Sequence, residues 1–310
     1  MYKYSQKSVD NEYLCVYNER IPKNICEVII MKKILAFILV AIMVLGLTAC
    51  GGGEAGGKTL KVATSPDFAP FEFVDASKTG QDAYVGFDLS LAHFIADELG
   101  MKLEVMPMSF DACQVAVELG NVDMAISGFV WSEKREENYN LSDFYFVGSD
   151  GTQTLIVPKT AEGTYTSLDQ FSGKKVAAQD ASLQFDLCTA QLPADCEVVE
   201  IIDINTAILQ LINGDFDAIA VPGSVGETLI NSHKEELGFC GVNFVVDPKQ
   251  DANVILLQKG NDELTQKVNA VLAKANEAGY YVTWEQEAKE LAGTGNAQEV
   301  TYDDEGKVAQ

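Results

Sequence analysis

The chain has 310 residues, 46 of them acidic and 22 basic, for a formal net charge of −24. A pI near 4.3 excludes the nucleic-acid binders, which present basic patches, and fits copies kept apart by self-repulsion. Its two histidines, His93 in a helical pattern and His233 in a polar stretch, leave little for imidazole catalysis, and no cysteine spacing suits zinc.

Taken in chain order, residues 1–30 mix charges without a period and contain Cys15 and Cys26. They read as a translation start placed too early, with Met31 the start expected. "MKKILAFILVAIMVLGLTAC" (31–50) has two lysines, an apolar run from Ile34 to Leu47, and small residues at its end, the plan of a secretory signal. The run is short for a spanning helix, which needs about 20 apolar residues. Leu47-Thr48-Ala49-Cys50 resembles the bacterial lipobox, so lipid on Cys50 is expected to hold the protein at a membrane surface. The alternative is a plain signal or a single anchor with a chance cysteine. "GGGEAGGK" follows, and residues 50–58 are expected to be a flexible tether.

Strands and helices then alternate. "LKVAT" (60–64) and "KLEVMPM" (102–108) read as strands. "GFDLSLAHFIADELG" (86–100) reads as a helix capped by Asp88, with Leu91, Ile95 and Leu99 on one face and Gly100 at its end. "FDACQVAVELG" closes at Gly120, before the strand "VDMAISG". This order predicts α/β architecture with largely parallel strands. The chain also echoes itself. "QVAVELGNVDMAISG" (114–128) resembles "AILQLINGDFDAIAVPG" (207–223), each with a helix, a stopping glycine (Gly120, Gly214), an aspartate three later (Asp123, Asp217), and a strand. "LKVATS" (60–65) is echoed by "KKVAAQ" (174–179). Two such units predict two lobes with a cleft at the strand tips, Ser65–Phe68, Ser127–Val130, Gln179–Gln184 and Val221–Gly223. Cys188 and Cys196 are close enough to pair, and free thiols fit equally. The polar stretch 293–310 has no period and is expected to be disordered.

From about Leu60 to Leu291 the chain resembles the extracellular solute-binding proteins of family 3, which feed polar amino acids to ABC importers. The motifs are "ATSPDFAPFEF", "GFDLSLAHFIADELG", "GNVDMAISGFVWSEKREENYNLSDFYF", "SGKKVAAQDASLQ", "INGDFDAIAVPG" and "KGNDELTQKVNAVLAKANEAGYY". The resemblance implies a two-lobed Venus flytrap (periplasmic-binding-protein fold, type II) with two crossing hinge strands. Lobe 1 would comprise 59–147 and 247–292, and lobe 2 would comprise 148–246. It implies a monomeric receptor outside the cell membrane, a small amino acid or carboxylate as ligand, an ABC permease as partner, and neither cofactor nor metal. An enzyme on the same fold, of the cyclohexadienyl dehydratase type, is the alternative, and no paired catalytic set supports it.

The resemblance also assigns ligand contacts. Arg135 would grip the α-carboxylate, a planar fork of donors matching a carboxylate; the other reading is a surface arginine paired with Glu136 or Glu137. Gly128 and Val130 would contribute backbone, valine standing where the family commonly has a hydroxyl residue. Phe68 and Phe110 would sandwich the ligand side chain, or else serve the core. Ser65 stands at a position that tunes specificity and is neutral. Ser182, Leu183 and Gln184 would meet the carboxylate from lobe 2, with Asp180 a further polar contact. Pro222 replaces the aspartate that usually holds the α-ammonium, so another acid must supply that charge, with Asp180 and Glu227 the candidates, or the ligand lacks a standard α-amino group.

Overall fold

The computed structural model describes residues 58–147, 152–293, 297–298, 300–303 and 305–308. The expectations for the signal segment, the tether and Cys50 fall outside these residues. None of the described helices is long and apolar enough to cross a membrane.

The chain begins with β1 (Thr59–Thr64), β2 (Asp67–Phe68), β3 (Glu72–Asp75), β4 (Tyr84–Val85), α1 (Phe87–Glu98), β5 (Lys102–Pro107), α2 (Phe110–Glu118), β6 (Met124–Ala125), α3 (Glu133–Asn138), β7 (Tyr139–Leu141) and β8 (Phe146–Val147). It continues through β9 (Gln153–Pro158), β10 (Lys175–Gln179), α4 (Leu183–Gln191), β11 (Glu197–Ile201), α5 (Ile204–Asn213), β12 (Ala218–Pro222), α6 (Gly223–Ser232) and β13 (Leu237–Asn243). It closes with β14 (Ala252–Asn253), β15 (Leu256–Gln258), α7 (Asp262–Glu277), α8 (Tyr280–Ala292) and β16 (Ala297–Gln298).

Two five-stranded sheets carry the fold, ordered β5-β1-β6-β15-β7 and β11-β10-β12-β9-β13. In each, the first two pairings are parallel and the last two antiparallel, so only the fourth strand runs against the others. The sheets are therefore more mixed than the expected parallel pattern. In the first sheet, β15 belongs to a stretch that returns from the second, and it enters against the run of β6. The antiparallel pair β8–β14 stands where the chain leaves the first sheet and where it comes back. The fold is the two-lobed Venus flytrap.

The inner strands β9, β10 and β12 bury both faces, hence their near-continuous apolar sequences, whereas the edge strands β5 and β11 stay partly exposed. In β1, Leu60 and Val62 pack with Leu91, Ile95 and Leu272 from α1 and α7, while Ala63 faces Cys113 and Val117 of α2. In the second sheet, Val176 meets Leu187 of α4, and Ala177 meets Ile208 and Leu211 of α5. Full burial of each large aliphatic side chain contributes roughly 1.5–3 kcal/mol.

The internal echo has a structural counterpart. Asp123 Oδ2 accepts from the Lys61 N–H at 2.7 Å, and Asp217 Oδ2 accepts from the Lys175 N–H at 2.8 Å. The two aspartates thus tie equivalent strands, β6 to β1 and β12 to β10.

Two expectations change, and one open alternative is decided. Asp88 does not cap its own helix. The N-cap is Gly86, and the buried Asp88 carboxylate instead accepts from the Gly128 N–H at 2.7 Å and the Tyr145 hydroxyl at 3.0 Å. Cys188 and Cys196 are free thiols. Parts of the tail expected to be disordered are docked: β16 pairs with β3 and Val300 is buried. Tertiary hydrogen bonds supply the order that its composition does not suggest.

Candidate ligand-binding cleft

A cavity lies beyond the carboxyl ends of β1, β6, β10 and β12, where open α/β sheets place ligands. One wall carries Ser65, Asp67, Phe68, Glu72, Phe110, Gly128, Val130, Arg135, Phe146 and Asn253. The other carries Gln153, Gln179, Ser182, Leu183, Gln184, Pro222 and Ser224. The structure thus gathers ten of the eleven expected contacts: Arg135, Phe68, Phe110, Ser65, Gly128, Val130, Ser182, Leu183, Gln184 and Pro222. Asp180 is not among the lining residues. Its N–H donates to the Ile201 carbonyl at 3.0 Å, within the turn that follows β10. Glu227, the other acid considered, is exposed on α6 and also lies off the lining.

Arg135 sits on the short helix α3, whose N-cap Ser132 accepts from the Arg135 N–H at 3.2 Å. Its side chain is buried. Nη1 donates to the Val130 carbonyl at 2.8 Å, Nη2 to the Ala181 carbonyl at 2.9 Å, and Nε more weakly to Gln114 Oε1 at 3.4 Å. The guanidinium carbon lies 5.7 Å from the Phe110 ring centre and 5.3 Å from that of Phe129. These two rings stack on each other with centres 4.5 Å apart. Phe110 therefore joins the core and lines the cavity at once. Among the described residues no carboxylate is within ion-pair distance of Arg135, which rules out pairing with Glu136 or Glu137. Burial lowers its pKa to about 10, with Asp186 opposing, so the group stays cationic at neutral pH. One N–H remains on each terminal nitrogen.

Across the cleft, Ala181 takes a left-handed conformation at φ 56°, which carries its carbonyl to Arg135. Ser182 then caps α4, its hydroxyl accepting from the Phe185 N–H at 3.1 Å. The N–H groups of Leu183 and Gln184 begin that helix and have no acceptor within it. Together with the helix dipole they favour an anion. Pro222 contributes no N–H and no charge, and α6 starts behind it without a side-chain cap.

Two buried acids in the cavity wall were not anticipated. Asp67 Oδ1 accepts from the Ser65 hydroxyl at 2.7 Å, and Oδ2 from the Ile204 N–H at 2.9 Å and Gln179 Nε2 at 3.2 Å. Asp67 thereby links β2 of the first lobe to β10 and α5 of the second. Burial raises its pKa to about 6, against the lowering effect of the Ile204 bond. Glu72 Oε1 accepts from the Ser127 hydroxyl at 2.8 Å, while Oε2 is buried without a hydrogen-bond partner among the described residues. Burial first, then the neighbouring Asp88, pushes Glu72 well above the usual carboxylate range. The available signal was an acidic residue inside an apolar run, Asp67 and Glu72 in "SPDFAPFEF", where an ionisable side chain needs a specific partner.

Fold and cleft together define a two-lobed binding protein. Residues 60–287 match the model for "Bacterial extracellular solute-binding proteins, family 3", and the chain belongs to this family. It is 31% identical over 255 residues to the arginine-binding extracellular protein ArtP of Bacillus subtilis, covering 80% of this chain and 94% of that one. A probable histidine-binding protein of Campylobacter jejuni is 29% identical, covering 75% and 93%. Among solved structures, the amino acid ABC transporter substrate-binding protein AbpA of Streptococcus pneumoniae, bound to L-arginine, superposes with a TM-score of 0.69 at 30% identity, covering 76% of this chain and 95% of that one.

Proposed function

We propose that this chain is the substrate-binding lipoprotein of an ABC importer, capturing an amino acid by closure of two lobes, 59–147 with 247–292 and 148–246. The observation that carries this reading is Arg135, a buried guanidinium facing the open start of α4 with no carboxylate at ion-pair distance among the described residues. An unpaired buried charge is costly, and a ligand carboxylate would remove that cost with a bidentate pair. On the opposite side, Asp67 and Glu72 provide acid that Pro222 does not. The favoured ligand therefore carries a cationic group as well as a carboxylate, as do the arginine and histidine named for the relatives. Phe68 and Phe110 would hold its side chain between them. Arg135 to Ala181 and Asp67 to Ile204 already join the two walls, and a ligand that bridges the same walls would favour closure. Lipid on Cys50 would keep a monomeric receptor beside its permease.

The test is a thermal-shift screen of the purified protein against L-arginine, L-histidine, L-cystine and L-glutamine. A ligand present at 100 times its Kd stabilises the native state by about 2.7 kcal/mol through mass action. A clear rise in melting temperature with at least one amino acid is expected. No rise with any of them, at millimolar concentration, would refute the reading.

A further inference from the structure

The described residues 297–298, 300–303 and 305–308 reach the cleft wall from behind, through Ser65. β16 pairs with β3, Ala297 opposite Asp75 and Gln298 opposite Val74, and Val300 is buried just beyond. The chain then forms a closed loop. The Asp303 N–H donates to the Lys307 carbonyl at 2.8 Å, and Asp303 Oδ1 accepts from the Glu305 and Lys307 N–H groups at 2.9 Å each. This loop is seated on the start of α2, where the Ser109 N–H donates to the Gly306 carbonyl at 2.7 Å. The approach is close: at φ 72°, a Cβ on Gly306 would stand 2.4 Å from Ser109 Oγ. Asp303, Glu305 and Lys307 also share a groove with Ile202, at the end of β11 in the other lobe.

At the head of the loop, the Tyr302 hydroxyl is 3.0 Å from Ser65 Oγ. The Ser65 proton is committed to Asp67 Oδ1 at 2.7 Å, so Tyr302 is the donor. A relay therefore runs from Tyr302 through Ser65 to Asp67, whose second oxygen binds Ile204 of the other lobe. We propose that the C-terminal segment is a built support of the cleft wall, and that Tyr302 is a positioning residue which fixes Ser65 and, through it, the Asp67 carboxylate joining the two lobes. Cooperative hydrogen bonding strengthens each link of such a chain. The consequence for ligand choice, an acidic end held in one orientation, rests on the function proposed above; the relay itself does not.

The titratable groups around Asp67 are Asp203, Glu72, Cys113 and Tyr302, with no cation among them. Its ionisation therefore depends on hydrogen-bond donors, and it can report the relay. The test uses the full ligand-free chain, unaltered and with Tyr302→Phe, and follows the Asp67 side-chain carbon by NMR through a pH titration together with hydrogen exchange of the Ile204 amide. Tyr302→Phe keeps the ring but removes the donor. The Asp67 midpoint should move up by roughly half a pH unit, and Ile204 should exchange several-fold faster. Deletion of 294–310 admits water and should instead move the midpoint down. An unchanged midpoint and unchanged Ile204 exchange in both variants would overturn the proposal. A loss of overall melting temperature alone, without these shifts, would reduce the segment to a structural role and also overturn it. No amino acid is needed, so failure of amino acids to bind would count against the proposed function and leave this inference standing.

Discussion

Arg135 has a structural part and, on the proposed function, a receptive one. Its bonds to Val130 and Ala181 hold it in the cleft, while among the described residues no carboxylate is at ion-pair distance from its charge. Arg135→Ala should fold and lose roughly 2–5 kcal/mol of ligand affinity, about 30- to several-thousand-fold by calorimetry. Native affinity in that variant would place the carboxylate grip elsewhere. Asp67 makes a prediction in pH. Its folded pKa is raised from 3.8 to about 6, so between those values the folded state binds more protons than the unfolded state. Stability must then fall as pH rises through that window, by at most about 3 kcal/mol from this group. Urea unfolding of Asp67→Asn should show a flatter dependence from pH 4 to 6.5 than the unaltered chain. A cationic ligand needs the ionised carboxylate, so its affinity should change in the opposite sense and rise from pH 5 to 7. Equal slopes for the two proteins would show that burial of Asp67 costs nothing in this range.

At the scale of elements, the paired ties Asp123 to Lys61 and Asp217 to Lys175 fasten matching strands in different lobes. Alanine at either position should cost about 1 kcal/mol, and the double variant should be close to additive, because the sites share no partners. Strong coupling in urea unfolding would contradict that independence. Gly86→Ala should cost about 3 kcal/mol or more. Gly86 sits at φ 125°, and a Cβ there would fall 2.2 Å from the Phe71 carbonyl oxygen; a melting temperature near that of the unaltered chain would contradict this geometry. Much at this scale was legible in the sequence, since apolar periodicity, stopping glycines and the repeated aspartate are local signals. Asp88 was misjudged for the opposite reason: next to a helix start, its type suggests a cap, and only the tertiary fold brings Gly128 N–H and Tyr145 to it. The docked tail was hidden in the same way, for its order comes from Ser65 and Ser109, more than 190 positions earlier in the chain.

For the whole molecule, the two sheets share one plan and meet through β8–β14 on one side and through Asp67 and Arg135 in the cleft. The cleft walls were legible because strand ends in α/β sheets are where ligands collect, and the family motifs marked Arg135, Phe68 and Phe110. The buried acid in the wall was not, because Ser65 is neutral and the carboxylate stands at Asp67, two residues on. A receptor of this type should become more compact on binding; small-angle scattering of the protein should give a smaller radius of gyration with saturating ligand, and an identical profile would count against hinge closure. The central claim is that a ligand carboxylate answers the buried charge of Arg135. Its most direct test is titration calorimetry of the purified protein with L-arginine and with agmatine, the same molecule without its carboxylate. The account predicts that L-arginine binds and that agmatine binds at least about 30-fold more weakly. Equal affinity for the two would contradict it.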